Sequence, residues 1–283
     1  MTEDGGAPTR IEPGAVREEP VSPLDPAGLR ARLSTTWLGR QHLHVASCRS
    51  TNDLAATEAK AGAGEGLLVT ADQQSDGRGR QGRVWHAGAG ENLTFSLLLR
   101  PNRPPPEIPP LTLLAGGAVA EALASLGFAA RVKWPNDVML RGEAGARKVA
   151  GILTEATTVG DRIGHVVIGV GINVNAQAFP EELVDKATSL RLVRGRPLPL
   201  AEILARVLAS LETAYNAFRT SGPAAAISLW EAHAERFARC KARVDDRDIE
   251  GVALGVLPDG SLQIRDDDDV IHRIVSGEVL PAR

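Results

Sequence analysis

The chain has 283 residues, 43% hydrophobic and 24% charged, with 29 Gly, 18 Pro and two Cys. Ordinary Gly and Pro usage and ample apolar residues exclude collagen-like, disulfide-scaffold and wholly disordered classes, and the length suits one large domain or a medium domain with a small appendage. A net charge of −3, from 32 basic and 35 acidic residues, gives no global positive excess that would recommend nucleic acid as a partner.

Residues 1–26 hold six acids, two arginines, five prolines and few large apolar side chains. Such a composition cannot bury a core, so the segment reads as a disordered Pro/Glu-rich tail, without the basic start and apolar run of a secretory signal. A membrane span needs roughly 20 uninterrupted apolar residues. The best candidate, Leu111 to Ala130, is broken by Gly116, Gly117 and Glu121, so no membrane is expected and the compartment is read as cytoplasmic. Cys48 and Cys240 stand in no metal or redox spacing and are expected as reduced core thiols.

Past the tail, a short helix is expected at 27–35, then a strand at 41–47 that puts His42 and His44 on one face with no third metal ligand nearby. Ser50 and Asp53 stand in capping-box positions at the start of a helix. A strand at 66–72, a Gly-rich loop to about 91 and a strand at 92–100 follow. Leu111, Leu114, Val119, Leu123 and Leu126 space a helix over 110–127. Strands are expected at 130–134, 137–141, 148–157 and 163–171, and helices at 200–219 and 223–236. From about 239, short β-like segments alternate with turn signals, and the run Asp266 to Asp269 reads as a solvated hairpin turn. The predicted units are a main domain over 27–237 and a small β-barrel over 238–283.

Gly77, Gly79 and Gly82 satisfy G-x-G-x-x-G after a strand, but no helix begins there to receive a pyrophosphate, so a dinucleotide site is rejected. Arg78, Arg80 and Arg83 instead concentrate positive charge on a pliable loop, suited to an anion with several oxygens. Trp85 is a candidate flat surface beside it. With 27 arginines and five lysines in the chain, Lys133 and Lys148 stand out. Lys148 is read as preceding an apolar strand containing Gly151, as a point charge at a pocket edge. Pro135 presents Asn136 and Asp137 from a turn, with Asn136 suited to an adenine edge and Asp137 a candidate for Mg²⁺. Gly169, Gly171, Asn173 and Asn175 form a strand end that a ligand could approach closely.

In order, Ser50-Thr51-Asn52, Gly77-Arg78-Gly79-Arg80-x-Gly82-Arg83-x-Trp85, Lys133-Trp134-Pro135-Asn136-Asp137, Lys148-x-Ala150-Gly151-Ile152-Leu153-x-Glu155 and Gly169-x-Gly171-Ile172-Asn173 resemble the biotin-protein ligases. The resemblance runs from about residue 41 to the C-terminus, including Ser276-Gly277-Glu278-Val279. It implies an α+β fold like the class II aminoacyl-tRNA synthetase catalytic domain, with a mixed sheet, and a small SH3-like β-barrel behind it. It also implies two-step chemistry. Biotin and Mg²⁺·ATP give biotinyl-5′-AMP, and a lysine of a biotin carboxyl carrier protein then takes the biotin.

By the same resemblance, Ser50, Thr51, Asn52 and Gln74 face the ureido end of biotin. Arg78, Gly79 and Arg80 enclose the adenylate, Lys148 contacts carboxylate or phosphate oxygens beside Gly151, and Trp85, Asn136 and Asn173 lie on the adenine side. Arg80 and Lys148 are the expected catalytic residues. Bifunctional members of the family carry a winged helix before the Ser-Thr-Asn segment. Here 49 residues precede Ser50, 26 of them the expected tail, so a monofunctional ligase without DNA binding is expected. The rival readings are a lipoate or octanoate ligase of similar fold and a non-catalytic protein that binds biotinyl-adenylate.

Overall fold

The computed structural model describes residues 24–86, 88–142, 145–235, 239–244 and 247–281. The tail expected over 1–26 lies outside them except for Leu24, Asp25 and Pro26, and so does the expected boundary at 237/238.

Helix α1 (Pro26–Arg32) begins where Asp25 accepts hydrogen bonds from the Ala27 and Gly28 N–H groups. Strand β1 (His42–Cys48), helix α2 (Thr51–Lys60), β2 (Leu68–Gln74) and β3 (Leu93–Leu99) follow. Next come α3 (Pro110–Ser125), β4 (Ala130–Lys133), β5 (Asp137–Gly142), β6 (Gly145–Val159) and β7 (Arg162–Ile172). The short α4 (Leu190–Arg194), α5 (Leu200–Ser221) and α6 (Pro223–His233) complete this part. Its seven strands form one mixed sheet in the order β1-β2-β3-β7-β6-β5-β4, parallel only between β1 and β2.

Alternation along the strands decides what each face holds. Leu68, Leu97, Val166 and Ile168 join α3 and α5 in the main core, while Val69, Leu98 and Val167 pack with Ala55 and Ala59 of α2 on the opposite face. Both faces of β3 are therefore covered, and all seven of its residues are buried. The stretch Leu111–Ala130, expected to be too interrupted to span a membrane, is mostly the core helix α3: the most apolar window of Pro105–Ser125 is 72% buried inside the protein. Thr94 and Ser96, polar and on the α2 face of β3, are the first sign of where the cavity lies.

The remaining strands, β8 (Cys240–Val244), β9 (Arg247–Val256), β10 (Leu262–Arg265), β11 (Ile271–Ile274) and β12 (Glu278–Pro281), form an antiparallel sheet ordered β11-β10-β9-β8-β12, in keeping with the expected SH3-like unit. The aspartate run turns β10 into β11. Asp266 accepts from the Asp268 and Val270 N–H groups, and Asp267 pairs with Arg239. The two sheets meet where the buried Trp134 indole donates to the Gly260 carbonyl at 3.0 Å.

Three local expectations need correction. The Ser50–Asp53 capping box does not form. The Ser50 side chain makes no cap bond, and Gln74 Oε1 instead accepts from the Thr51 N–H at 2.7 Å while Asp53 binds Arg78. Lys148 does not precede its strand but lies within β6, where a bulge makes Val149 the extra residue between Met139↔Lys148 and Val138↔Ala150. The extra residue resets the alternation, so that Lys148 and Gly151, three apart, reach the same face. Finally, 174–199 was read without elements, yet it carries α4 and lies along β6, where Lys148 N–H donates to the Lys186 carbonyl and Thr188 N–H to the Lys148 carbonyl.

Candidate active site

A cavity of about 1100 Å³ opens on the α2 face of the large sheet. Ser50, Thr51, Asn52, Gln74, Arg78, Gly79, Arg80, Trp85, Asn136, Asp137, Lys148, Gly151 and Asn173 all line it, so the residues expected to hold biotin, nucleotide or Mg²⁺ come together in one place. Asn175 does not; its amide exchanges hydrogen bonds with the Leu198 backbone.

One end of the cavity is walled by hydroxyl and amide groups, most of them buried. Thr51 donates to Gln74 Oε1 through both its N–H and its hydroxyl, and Asn52 Nδ2 donates to Glu155 Oε2 at 2.6 Å. The fully buried Ser96 hydroxyl stands 2.8 Å from Thr51 Oγ1 and 2.6 Å from Asn52 Oδ1. It has one proton for two acceptors, so an acceptor is left over for a ligand N–H. The buried Ser50 hydroxyl and the Gln74 Nε2 group make no hydrogen bond among the described residues and remain as donors. Ser96 went unnoticed in the sequence. Its only signal there is that Thr94 and Ser96 place polar groups at alternate positions of an apolar run.

The glycines of β6 and β7 make room, though not in the way expected. A Cβ at Gly169 would overlap Asn52 Oδ1, and one at Gly171 would overlap the Trp85 indole. Gly151 and Gly171 pair directly across the two strands. It is the Trp85 ring that approaches there, with its Nε1–H buried and unpartnered and Lys148 Nζ 5.7 Å from the ring centroid.

The basic loop is a small hairpin. Gly79 N–H donates to the Arg83 carbonyl and Trp85 N–H to the Gly77 carbonyl, around a 3₁₀ turn at Arg80–Gly82. Two of its three arginines have carboxylate partners. Arg78 forks onto Asp53 at 2.6 and 3.1 Å and stands 3.5 Å from Glu155, while Arg83 reaches Glu278 at 2.9 Å. Arg80 makes no hydrogen bond or ion pair among the described residues. Burial pulls its pKa below the usual guanidinium value, Asp137 opposes that shift and Arg83 adds to it. A cation that has lost hydration without gaining a carboxylate is a ready anion site.

Asp137 already lies between two ammonium groups, with Lys148 Nζ at 2.6 Å and Lys133 Nζ at 3.8 Å. No cluster of three or more metal-ligating side chains occurs among the described residues. Asn136 Nδ2 donates to the Ile152 carbonyl and the buried Asn173 Nδ2 to the Thr188 carbonyl, so both amides are held by backbone. Phe179, Leu183 and Ala187 complete that end of the cavity, from the segment whose elements the sequence left unassigned. Glu278 and Leu280 of β12 are contributions of the C-terminal sheet, and Glu278 is the charged one. Burial raises its pKa, but the Arg83 hydrogen bond and the Lys133 charge outweigh this and hold it below the usual carboxylate value. Away from the cavity, His42 Nε2 and His44 Nδ1 both share hydrogen bonds with the Thr70 hydroxyl, and Cys48 and Cys240 are free thiols.

Residues 43–173 match the model of the biotin/lipoate A/B protein ligase family, and residues 237–280 match that of the biotin protein ligase C-terminal domain. The bifunctional ligase/repressor BirA of Bacillus spizizenii is 37% identical over 90% of this chain and 78% of its own. The biotin–[acetyl-CoA-carboxylase] ligase of Mycobacterium tuberculosis is 34% identical over 85% of this chain and 89% of its own. The biotin protein ligase of Aquifex aeolicus in complex with biotin and ATP superposes with a TM-score of 0.71 at 28% identity, covering 86% of this chain and 100% of that one. The chain belongs to the biotin protein ligase family.

Proposed function

We propose that the protein joins biotin to ATP and passes it to a lysine of a biotin carboxyl carrier protein. The observation that carries this reading is the hydrogen-bond inventory of the head pocket. It has an acceptor to spare beside Asn52 and Thr51 and free donors on Ser50 and Gln74, the complement of a cyclic urea with N–H groups and a carbonyl. The dithiolane of lipoate and the alkyl chain of octanoate have neither group, and would leave those buried polar atoms unpaired at about 1–3 kcal/mol each.

In the first step a biotin carboxylate oxygen bonds to the α-phosphorus of ATP and the bond to pyrophosphate breaks. Two anions must meet, and Arg80 and Lys148 supply the positive charge, Arg80 because no carboxylate neutralises it and Lys148 by exchanging Asp137 for the ligand oxygens. Asn136, Asn173 and Trp85 serve the nucleotide end. In the second step the carrier lysine amine attacks the acyl carbon and AMP leaves. Until then the loop at 77–85 keeps water from the mixed anhydride. Mg²⁺ would enter this scheme with the nucleotide and would supply further positive charge to the phosphates. The two lysines beside Asp137 weigh against that residue as a ligand on its own.

The compartment proposed for this reaction is the cytoplasm. Incubation with ATP, biotin and an apo carrier domain should add one biotin to the carrier by mass spectrometry. An unmodified carrier favours the non-catalytic adenylate-binding alternative, and modification that requires lipoate favours the other. An electrophoretic shift on a biotin-operon operator would overturn the monofunctional expectation drawn from the sequence.

A further inference from the structure

We infer that Glu155 is a positioning residue that couples the head pocket to the basic loop, an inference that rests on the biotin-ligase reading. Its two carboxylate oxygens face different parts of the site. Oε2 accepts from Asn52 Nδ2 at 2.6 Å, and Oε1 stands 3.5 Å from Arg78 Nη2. Asp53 also holds Arg78, but Asp53 is on α2 and makes no contact that depends on how the pocket is filled. Among the described residues, Glu155 alone touches both the pocket amide and the loop arginine.

An ionised carboxylate only accepts hydrogen bonds, so Glu155 at 2.6 Å, with the more distant Leu153 carbonyl at 3.4 Å, sets which way the Asn52 amide points. With Nδ2 committed to Glu155, Oδ1 is turned toward Ser96 and the cavity. Gly169 leaves the space for it, since a Cβ there would overlap Oδ1. A ligand N–H on Oδ1 would fix the amide, the amide would fix the carboxylate, and the carboxylate would fix Arg78 at the base of the loop hairpin. Such coupling is reciprocal: a filled pocket favours a closed loop, and a closed loop favours a filled pocket. Direct attraction between Glu155 and Arg78 contributes little, because the Glu155 side chain is 47% exposed. The effect works through orientation.

The experiment uses the full chain and two measurements, pyrophosphate exchange and trypsin cleavage after Arg78, Arg80 and Arg83 with and without biotin. In the unaltered protein, exchange should require biotin, and biotin should slow cleavage. Absence of biotin-dependent exchange would defeat the ligase reading itself, whatever Glu155 does. Glu155→Ala should raise the KM for biotin about tenfold, the loss of one charge-assisted hydrogen bond, leave the KM for ATP within about twofold of wild type, and abolish protection of the loop by biotin. Glu155→Gln keeps an acceptor for Asn52 but turns an NH2 donor toward Arg78 in place of an accepting oxygen; it should restore most of the biotin KM but not the protection. Asp53→Ala should speed cleavage equally with and without biotin. A wild-type biotin KM with intact protection in Glu155→Ala would overturn the inference. So would equal rises in both KM values, or a Glu155→Gln variant no better than Glu155→Ala.

Discussion

Ser50, Thr51, Asn52 and Ser96, at the head of the cavity, are each at most 5% exposed, whereas residues 81–84 of the basic loop are all exposed. The head pocket is fixed by short hydrogen bonds between side chains rooted in α2, β2, β3 and β6. The loop is fixed by its own three backbone bonds, the Trp85 ring, and ion pairs at Asp53, Glu155 and Glu278. Buried neutral hydrogen bonds resist salt and motion, while exposed ion pairs contribute about 1 kcal/mol or less. The difference suits the division of labour. Recognition of a neutral head group needs a preformed pocket, and trapping a reactive adenylate needs a segment that can open for the carrier.

Substitutions should separate these two parts. The largest effect is expected from Lys148→Ala, which removes a cation from the strand-held part; biotin-dependent pyrophosphate exchange should fall about a hundredfold or more. Exchange at the wild-type rate would remove Lys148 from the chemistry.

A change outside both parts provides the control. Glu212 of α5 accepts from the Thr36, Trp37 and Leu38 N–H groups and the Thr36 hydroxyl. Burial raises its pKa, but these hydrogen bonds outweigh burial and hold it below the ordinary value of 4.5. The stabilisation is therefore present above that ordinary value and is lost as pH falls through the lower folded one. Glu212→Gln should cost about 2 kcal/mol near pH 7 and lower the Tm without changing the ratio of the biotin and ATP KM values. The gap to wild type should narrow below pH 4.5. A gap that widened in acid would refute the assigned sign.

Arg80→Ala weakens the loop's hold on charge. Free biotinyl-AMP should appear in solution about ten times faster, one cation–anion contact's worth, while biotin still binds; an unchanged release rate, followed by trapping the adenylate with an added amine, would return Arg80 to the status of a solvated side chain. Arg83→Ala cuts only an exposed pair with Glu278 and should raise release about twofold. An effect larger than that of Arg80→Ala would mean that the C-terminal sheet, not the cavity, governs the loop.

Much of the site was legible in the sequence because its chemistry uses unusual local patterns. Three arginines among glycines, two of only five lysines and a Trp-Pro-Asn-Asp turn stand out without any knowledge of contacts. Ser96 did not stand out, since a serine in an apolar strand is ordinary, and Glu155 stood out only as the end of the Lys148 motif, with no role attached. The Ser50–Asp53 capping box was a correct local pattern overridden by tertiary partners, because Gln74 and Arg78 offered better hydrogen bonds than the helix's own end. The glycines of β6 and β7 signalled close approach correctly but could not name Asn52 and Trp85 as what approaches.

By itself the sequence determined the order of the longer elements, the mixed α/β texture with its β-rich end, and the type of charge the site would gather, because these follow from period, composition and spacing along the chain. Only the tertiary structure decided which charges remain unneutralised. Arg78, Arg83 and Lys148 find carboxylates from α2, β12 and β5, and Arg80 does not. Whether a cation is available to a ligand depends on which anions other elements bring within a few ångströms, and no local pattern carries that distance.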